Sequence, residues 1–365
     1  MIDTGMEYDF QHIGDVFRLR GNVVRVEPIS GGNINKTFRV VYNRDGGVEK
    51  SYLFQKINTY VFKKPEEVME NIDRVTTHIY RKRGGVNVLH FHHTAEGKNY
   101  YEFPETHDFW RVCNYLDSVT FDVCDDVQVL YLAGVAFGMF QKDLSDFDAS
   151  LLHETISSFH DTEKRLDTLF ESVESDPCGR VAEVKEEISY IASVREKAGT
   201  LSRLQKEGVL PLRVTHNDTK INNVLFHPEN YQPLTVIDLD TVMPGLVAND
   251  FGDAVRFAAN TSVEDEKDVS KVSFDLEKFK AFAEGFIPCL KDSMTEQEIN
   301  TLALSVFCIT VELASRFLDD YITGDKYFKT LYEGHNLVRT RAQLTLAKDI
   351  ERKLPQMEKI VAEIC

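Results

Sequence analysis

The sequence lacks a Cys-x-x-Cys pair: its six cysteines, at 113, 124, 178, 289, 308 and 365, have no regular spacing. That excludes a zinc ribbon and a disulfide framework and fits a reducing cytoplasm. No stripe of lysine and arginine runs through it, and the formal charge is −17, so a phosphate-binding nucleic-acid surface is excluded. The densest basic spot, Arg81 to Arg83, reads as the last turn of a helix, where cations oppose the dipole. No run reaches the roughly 18 apolar residues that span a bilayer, and "MIDTGMEYDFQHIG" has no basic stretch followed by an apolar core; the expectation is a chain neither secreted nor membrane-spanning. Low-complexity tracts and internal repeats are also missing. With 42% apolar and 28% charged residues over 365 positions, the chain is expected to fold throughout, as two lobes.

What is present changes character midway. "NVVRVEPISGGNINKTFRVVYN" reads as strand, glycine turn and strand, and "KSYLFQKIN" as a third strand. The stretch 64–83 has proline in its first turn, acids early, bases late, and Val68, Ile72, Val75 and Ile79 at helical spacing. Strand-like pieces follow at 86–90, 99–103 and 110–116. From Val127 the pattern is helical, over 127–141, 151–170, 181–207, 274–286, 296–321 and from about 327 to the end. One β island interrupts it, at "NNVLF" and "LTVID". The lobes are placed at 1–113 and 114–365, an α+β arrangement.

The island carries the chemistry. In "HNDTKINN", His216 precedes Asp218 by two and Asn223 follows it by five, the HxDxxxxN spacing of the protein-kinase catalytic loop. A carboxylate must meet an acceptor hydroxyl as its proton leaves, and a neutral amide binds magnesium without adding a repelling anion. Asp218 takes the first role and Asn223 the second. Fifteen residues on, Asp238 ends a short apolar strand in "VIDLD", where a second metal ligand belongs, with Asp240 as helper or support. Taken singly, each residue is an ordinary turn former; in this order and spacing they form a phosphoryl-transfer set.

Upstream, Gly31 and Gly32 in "ISGGNINKTF" stand where a β-turn would cover phosphates, although a full GxGxxG is missing. Alternation sends Gln55 and Lys56 to opposite faces of the third strand. Lys56 is chosen as the nucleotide-facing cation, paired with Glu70 of the following helix. "WRVCNYLD", with Tyr115, is expected to offer backbone groups to adenine.

Together these motifs, with "FHDTEKRL", "DFGDAVRF" and "ELASRFLDDYITGDKYF", resemble the aminoglycoside phosphotransferase and choline kinase superfamily, and within it the N-acetylhexosamine 1-kinase branch. The resemblance covers nearly the full length. It implies a bilobal protein-kinase-like fold, ATP and Mg2+ as cofactors, and an N-acetylhexosamine phosphorylated at its anomeric hydroxyl. It implies sugar contacts from Asn33, Asp218, Arg316 and Tyr321. A second reading stands for Arg316, a structural ion pair with Asp319, Asp320 or the acids of "DFGD"; Asp250 and Asp253 read as supports of the catalytic loop. One departure is Asn217, where relatives often carry a basic or small residue. Choline, homoserine, methylthioribose or an aminoglycoside stay open as acceptors, as do a nucleotide-binding pseudokinase and a helical scaffold. Oligomeric state is not legible.

Overall fold

The protein is described here from a computed structural model covering residues 8–29, 35–122 and 124–365. Its helices are α1 Phe10–Val16, α2 Pro65–Arg83, α3 Val127–Asp143, α4 Thr162–Ser175, α5 Lys185–Ala198, α6 Thr200–Lys206, α7 Val247–Ala258, α8 Leu276–Leu290, α9 Glu296–Thr323 and α10 His335–Ile364. Its strands are β1 Asn22–Ile29, β2 Lys36–Arg44, β3 Val48–Ile57, β4 Tyr101–Glu102, β5 Phe109–Asn114, β6 Arg213–Thr215, β7 Val224–Phe226, β8 Pro233–Val236 and β9 Met243–Gly245. Two compact units result: Met1–Ser118 with Leu239–Val242, and Val119–Asp238 with Met243–Cys365.

The first unit is an antiparallel sheet in the order β1-β2-β3-β5-β4. On one face the alternate residues Tyr52, Phe54, Trp110 and Val112 meet Phe10 and Ile13 of α1, and Phe17 just after it, in one apolar cluster. On the other face lie Gln55 and Arg111, directly paired in register, and Arg111 reaches Met69 of α2. α2 follows its sequence signals: Pro65 and two acids open it, three bases close it, and Gly84 caps it at φ 61°. Each favourable end charge is worth about 0.3–1 kcal/mol. Residues 86–90, expected as a strand, form no named strand. The unit runs to Ser118 rather than to residue 113 because the chain after β5 stays tied back: Asn114 N donates to His90 O at 3.1 Å, and Arg39 covers the Tyr115 ring. Val119 already exchanges both backbone bonds with Phe226 in the second unit.

The second unit is helical, with two small sheets, β6-β9 and β7-β8. α9 is, among the described residues, the one helix long and apolar enough to cross a membrane, and 83% of its apolar window is buried inside the protein. Polar residues such as Ser305 and Thr310 interrupt the run but bond back to their own helix, so α9 works as a core helix. The expected helix 151–170 begins only at Thr162, where Asp161 caps it. The expected helix 181–207 breaks at Gly199, where a Cβ would stand 2.9 Å from Glu163 Cγ.

Candidate active site

The site is built on the turn between β6 and β7. α7 lies beneath it, and the Asp250 carboxylate, 2% exposed, accepts from His216 N at 2.8 Å, Asn217 N at 2.7 Å and Gln141 Nε2 at 2.6 Å. Burial pushes the Asp250 carboxyl above the ordinary range, against the pull of His216 and these donors. Thr219 Oγ1 donates to Asp250 O at 2.6 Å. This anchoring lets Asn217 stand at φ +65°, a left-handed conformation that asparagine tolerates far better than most residues. The departure noted in the sequence thus has a backbone reason.

His216 is fully buried, its ring edge-on to Phe137 and Phe140 at 5.8 Å each. Its Nδ1 accepts from Asp218 N at 3.3 Å and its Nε2 donates to Ile237 O at 2.8 Å, so the neighbours fix its tautomer. Ile237 N in turn donates to Asn223 O at 2.9 Å, beside the Val224–Val236 pair. Asp238 therefore begins directly where Asn223 and His216 hold its neighbour, and it stands at φ +60°.

The Asn223 amide nitrogen donates to Asp218 O at 2.8 Å and to Asp218 Oδ2 at 3.3 Å. With the nitrogen committed, the side-chain oxygen is left as the acceptor that a cation would use. Lys220 Nζ lies 2.9 Å from Asp218 Oδ1. Burial opposes its charge, but Asp218, Asp253 and Glu264 outweigh that and hold the ammonium above the ordinary lysine value. Asp253 is bound by Arg256 at 2.8 Å; burial would raise its pKa, yet Arg256, Lys220 and His160 pull it below the usual range.

Asp218 and Asn223 are thus bonded directly, and Asp238 follows the residue that Asn223 and His216 hold. No group of three or more His, Cys, Asp or Glu fit to hold a metal occurs among the described residues. One amide oxygen and one carboxylate still fit magnesium, which keeps waters and takes its other ligands from phosphates.

Other expected site residues fall elsewhere. Gly31, Gly32 and Asn33 lie outside the described residues. Lys56 does not pair with Glu70: it shares the α1 face of the sheet, bound to Asp108 at 2.5 Å, while Glu70 pairs with Arg74 along α2. The α2 face carries Gln55 instead, which accepts from Arg111 Nε at 2.9 Å. Tyr115 follows β5 directly, half-buried under Arg39. Arg316 lies over the rings of Phe159, Tyr327 and Phe328 at 5.5, 5.9 and 5.5 Å, and among the described residues no carboxylate forms an ion pair with it. Asp320 is engaged otherwise, accepting from the backbone N–H groups of Lys326, Tyr327 and Phe328, and so it shapes the turn that brings two of those rings under Arg316. Tyr321 is not beside Arg316. Its hydroxyl donates to Glu183 at 2.9 Å and its ring lies under Arg180.

Three features escaped the sequence reading. Lys220 was signalled by its place two residues after Asp218. Arg111 stood in "FWRVCNYLDS" without a partner to suggest its use. His160, in "FHDTEKRL", binds Glu312 through Nδ1 at 2.9 Å, a pairing across 152 residues that no local pattern reveals.

Residues 25–280 match the model of the phosphotransferase enzyme family. Solved structures with the same fold include a spectinomycin phosphotransferase in complex with ADP and spectinomycin, 13% identical, TM-score 0.57, covering 96% of this chain and 100% of that one. A microcompartment-associated aminopropanol kinase is 13% identical, TM-score 0.58, covering 95% and 97%. Choline kinase from Cryptosporidium parvum is 15% identical, TM-score 0.52, covering 93% and 92%. A sheet-containing N-terminal region and a helical C-terminal region of this kinase-like type, with a matched family model over most of the length, place the chain in the phosphotransferase enzyme (APH) family.

Proposed function

We propose that the protein is a small-molecule kinase that transfers the γ-phosphoryl group of ATP to the anomeric hydroxyl of an N-acetylhexosamine. One observation carries the chemistry: the Asn223 amide is turned by Asp218 so that carboxylate base and amide oxygen are presented side by side, with Asp238 next to the residue Asn223 holds. Asp218 orients the sugar hydroxyl and accepts its proton. Asn223 and Asp238 are the residues that would hold magnesium, whose charge would offset that of the phosphates. Lys220, beside Asp218, meets the moving phosphoryl group as a cation. Tyr115 and the chain after β5 are the proposed adenine contacts, and Gly31 and Gly32 keep the phosphate role expected from the sequence. No covalent enzyme intermediate is needed.

The acceptor assignment is supported by Arg316. Its guanidinium rests on three aromatic rings and, among the described residues, makes no ion-pair contact with a carboxylate, which leaves its N–H groups for sugar oxygens. Electrostatic linkage runs from it through His160 and Asp253 to Lys220. The same arrangement argues against a cationic acceptor, because the rings that would enclose an ammonium already hold a guanidinium, and Arg165 adds a second like charge. Asn33 remains a proposed sugar contact; Tyr321 is engaged by Glu183 and Arg180.

The test is incubation with Mg-ATP and a panel of N-acetylglucosamine, N-acetylgalactosamine, choline, homoserine, methylthioribose and an aminoglycoside, read by phosphorus NMR. A sugar 1-phosphate is expected from the hexosamines. Product from choline or the aminoglycoside alone would overturn the acceptor, and tight Mg-ATP binding without any product would overturn the kinase.

A further inference from the structure

We infer that Arg111, on β5, supplies the buried cation that fixes the direction of Asp238, a task separate from that of the β3 lysine that kinases of this fold hold against the phosphates. The inference rests on the reading of Asp238 as a metal ligand. The strand position where that lysine would face α2 holds Gln55, and the cation lies one strand across, at the residue paired with Gln55 in register. Arg111 is 3% exposed and forms an ion pair with Asp240, also 3% exposed.

The network is complete around Asp240. One carboxylate oxygen takes Arg111 Nη1, and the other accepts from Asn35 Nδ2 at 2.7 Å. Asn35 Oδ1 accepts from Asn58 N at 3.0 Å. Arg111 Nε donates to Gln55 Oε1 at 2.9 Å, and Gln55 Nε2 donates to Thr37 Oγ1 at 3.1 Å. Asn71 of α2 donates to Val242 O at 2.9 Å. The short segment 239–242 is therefore held at both ends by residues of the first unit. Asp240, despite its place two residues after Asp238, has both oxygens occupied and a guanidinium against it, which favours Asp238 over it as the metal ligand.

Asp238 sits between two clamps. Before it, Ile237 is gripped by Asn223 and His216; after it, Leu239 begins the segment that Arg111 and Asn71 fix. Its φ of +60° is a conformation an aspartate keeps only when its surroundings over-determine it. Buried ion pairs are weak contributors to stability and are best attested as devices for conformational specificity. Arginine suits the role because its planar fork reaches Gln55, Asp240 and Met69 Sδ together, which a lysine cannot do. Arg111 is thus a positioning residue that acts through Asp240.

The test compares the full chain with Arg111→Gln/Asp240→Asn, which removes both charges and keeps hydrogen-bonding groups, and with Arg111→Lys, which keeps the charge. Measured are the melting temperature, the dissociation constant of Mn2+ in the presence of ADP by water-proton relaxation, and kcat with acceptor KM. In the folded double variant Mn2+ binding should weaken by about tenfold or more and kcat should fall with it, as for lost outer-shell partners, while acceptor KM stays unchanged. Arg111→Lys should weaken Mn2+ binding in the same direction and decides the matter if the double variant does not fold. Parent-like Mn2+ affinity in the folded variant would overturn the inference, and so would a fall in melting temperature alone. Asp238→Asn serves as the separate control: if it binds Mn2+ like the parent, the metal-ligand reading fails, whatever Arg111 does.

Discussion

Asn223→Asp exchanges groups of nearly equal size and isolates the orientation of one amide. Its nitrogen stands 2.8 Å from Asp218 O and 3.3 Å from Asp218 Oδ2. In the variant a carboxylate oxygen occupies that place and faces two acceptors. Two unit charges at that separation repel by about 5 kcal/mol at an effective dielectric near 20. Asp218 is 29% exposed, so solvent screens part of this, while two hydrogen bonds are lost as well. The net expectation is a loss of roughly 2–4 kcal/mol in the absence of metal. A divalent cation neutralises the crowded pair, so it should stabilise the variant more than the parent. Urea denaturation in EDTA and in excess Mn2+ reads both effects, and a turnover assay should show lower kcat despite the extra anionic ligand. A variant as stable as the parent in EDTA would refute the reasoning: the nitrogen would not face Asp218, and the oxygen would not be free for a cation.

Asp218→Asn should keep the melting temperature and lower kcat by roughly 100- to 10,000-fold, measured by coupled ADP release; turnover within a few-fold of the parent would reassign the base. Asp250→Ala should cost roughly 2–5 kcal/mol in urea, because two backbone N–H groups and Gln141 lose a buried acceptor, and kcat should fall as the loop under Asp218 loosens. The His160 imidazole is opposed by burial but held above its ordinary value by Glu312 and Asp253. Its folded pKa is raised, so its contribution is complete below about pH 6.5 and disappears as pH rises through the folded value. Melting temperature should therefore decline as pH rises above about 6.5, and His160→Gln should flatten that decline.

Much of this was legible along the chain, for reasons that differ by element. The three N-terminal strands and α2 announce themselves because alternation, the proline and the end charges act locally. The candidate site's loop, 216–223, is legible because its residues lie close together along the chain. Lys56 was chosen over Gln55 because alternation defines two faces but says nothing about which one α2 covers. α7 went unread although Asn249, Asp250, Asp253 and Arg256 recur at helical spacing, because ten of its residues, Val247 to Arg256, are all buried and its acids read only as supports of the neighbouring loop. The start of α10 was placed too early, at 327, because the turn before it is shaped by Asp320 from the preceding helix. Arg111 and Asp240 lie 129 positions apart, and only the folded sheet brings them together.

The claim on which the rest depends is that Asn223 and Asp238 share one divalent ion beside Asp218. A crystal of the protein with ADP and Mn2+ tests it through the anomalous signal of the metal. The account predicts a peak about 2.0–2.4 Å from Asn223 Oδ1 and an Asp238 carboxylate oxygen, with Asp218 free to meet an acceptor hydroxyl. A peak held by other residues, with Asn223 and Asp238 turned away from it, would contradict the account.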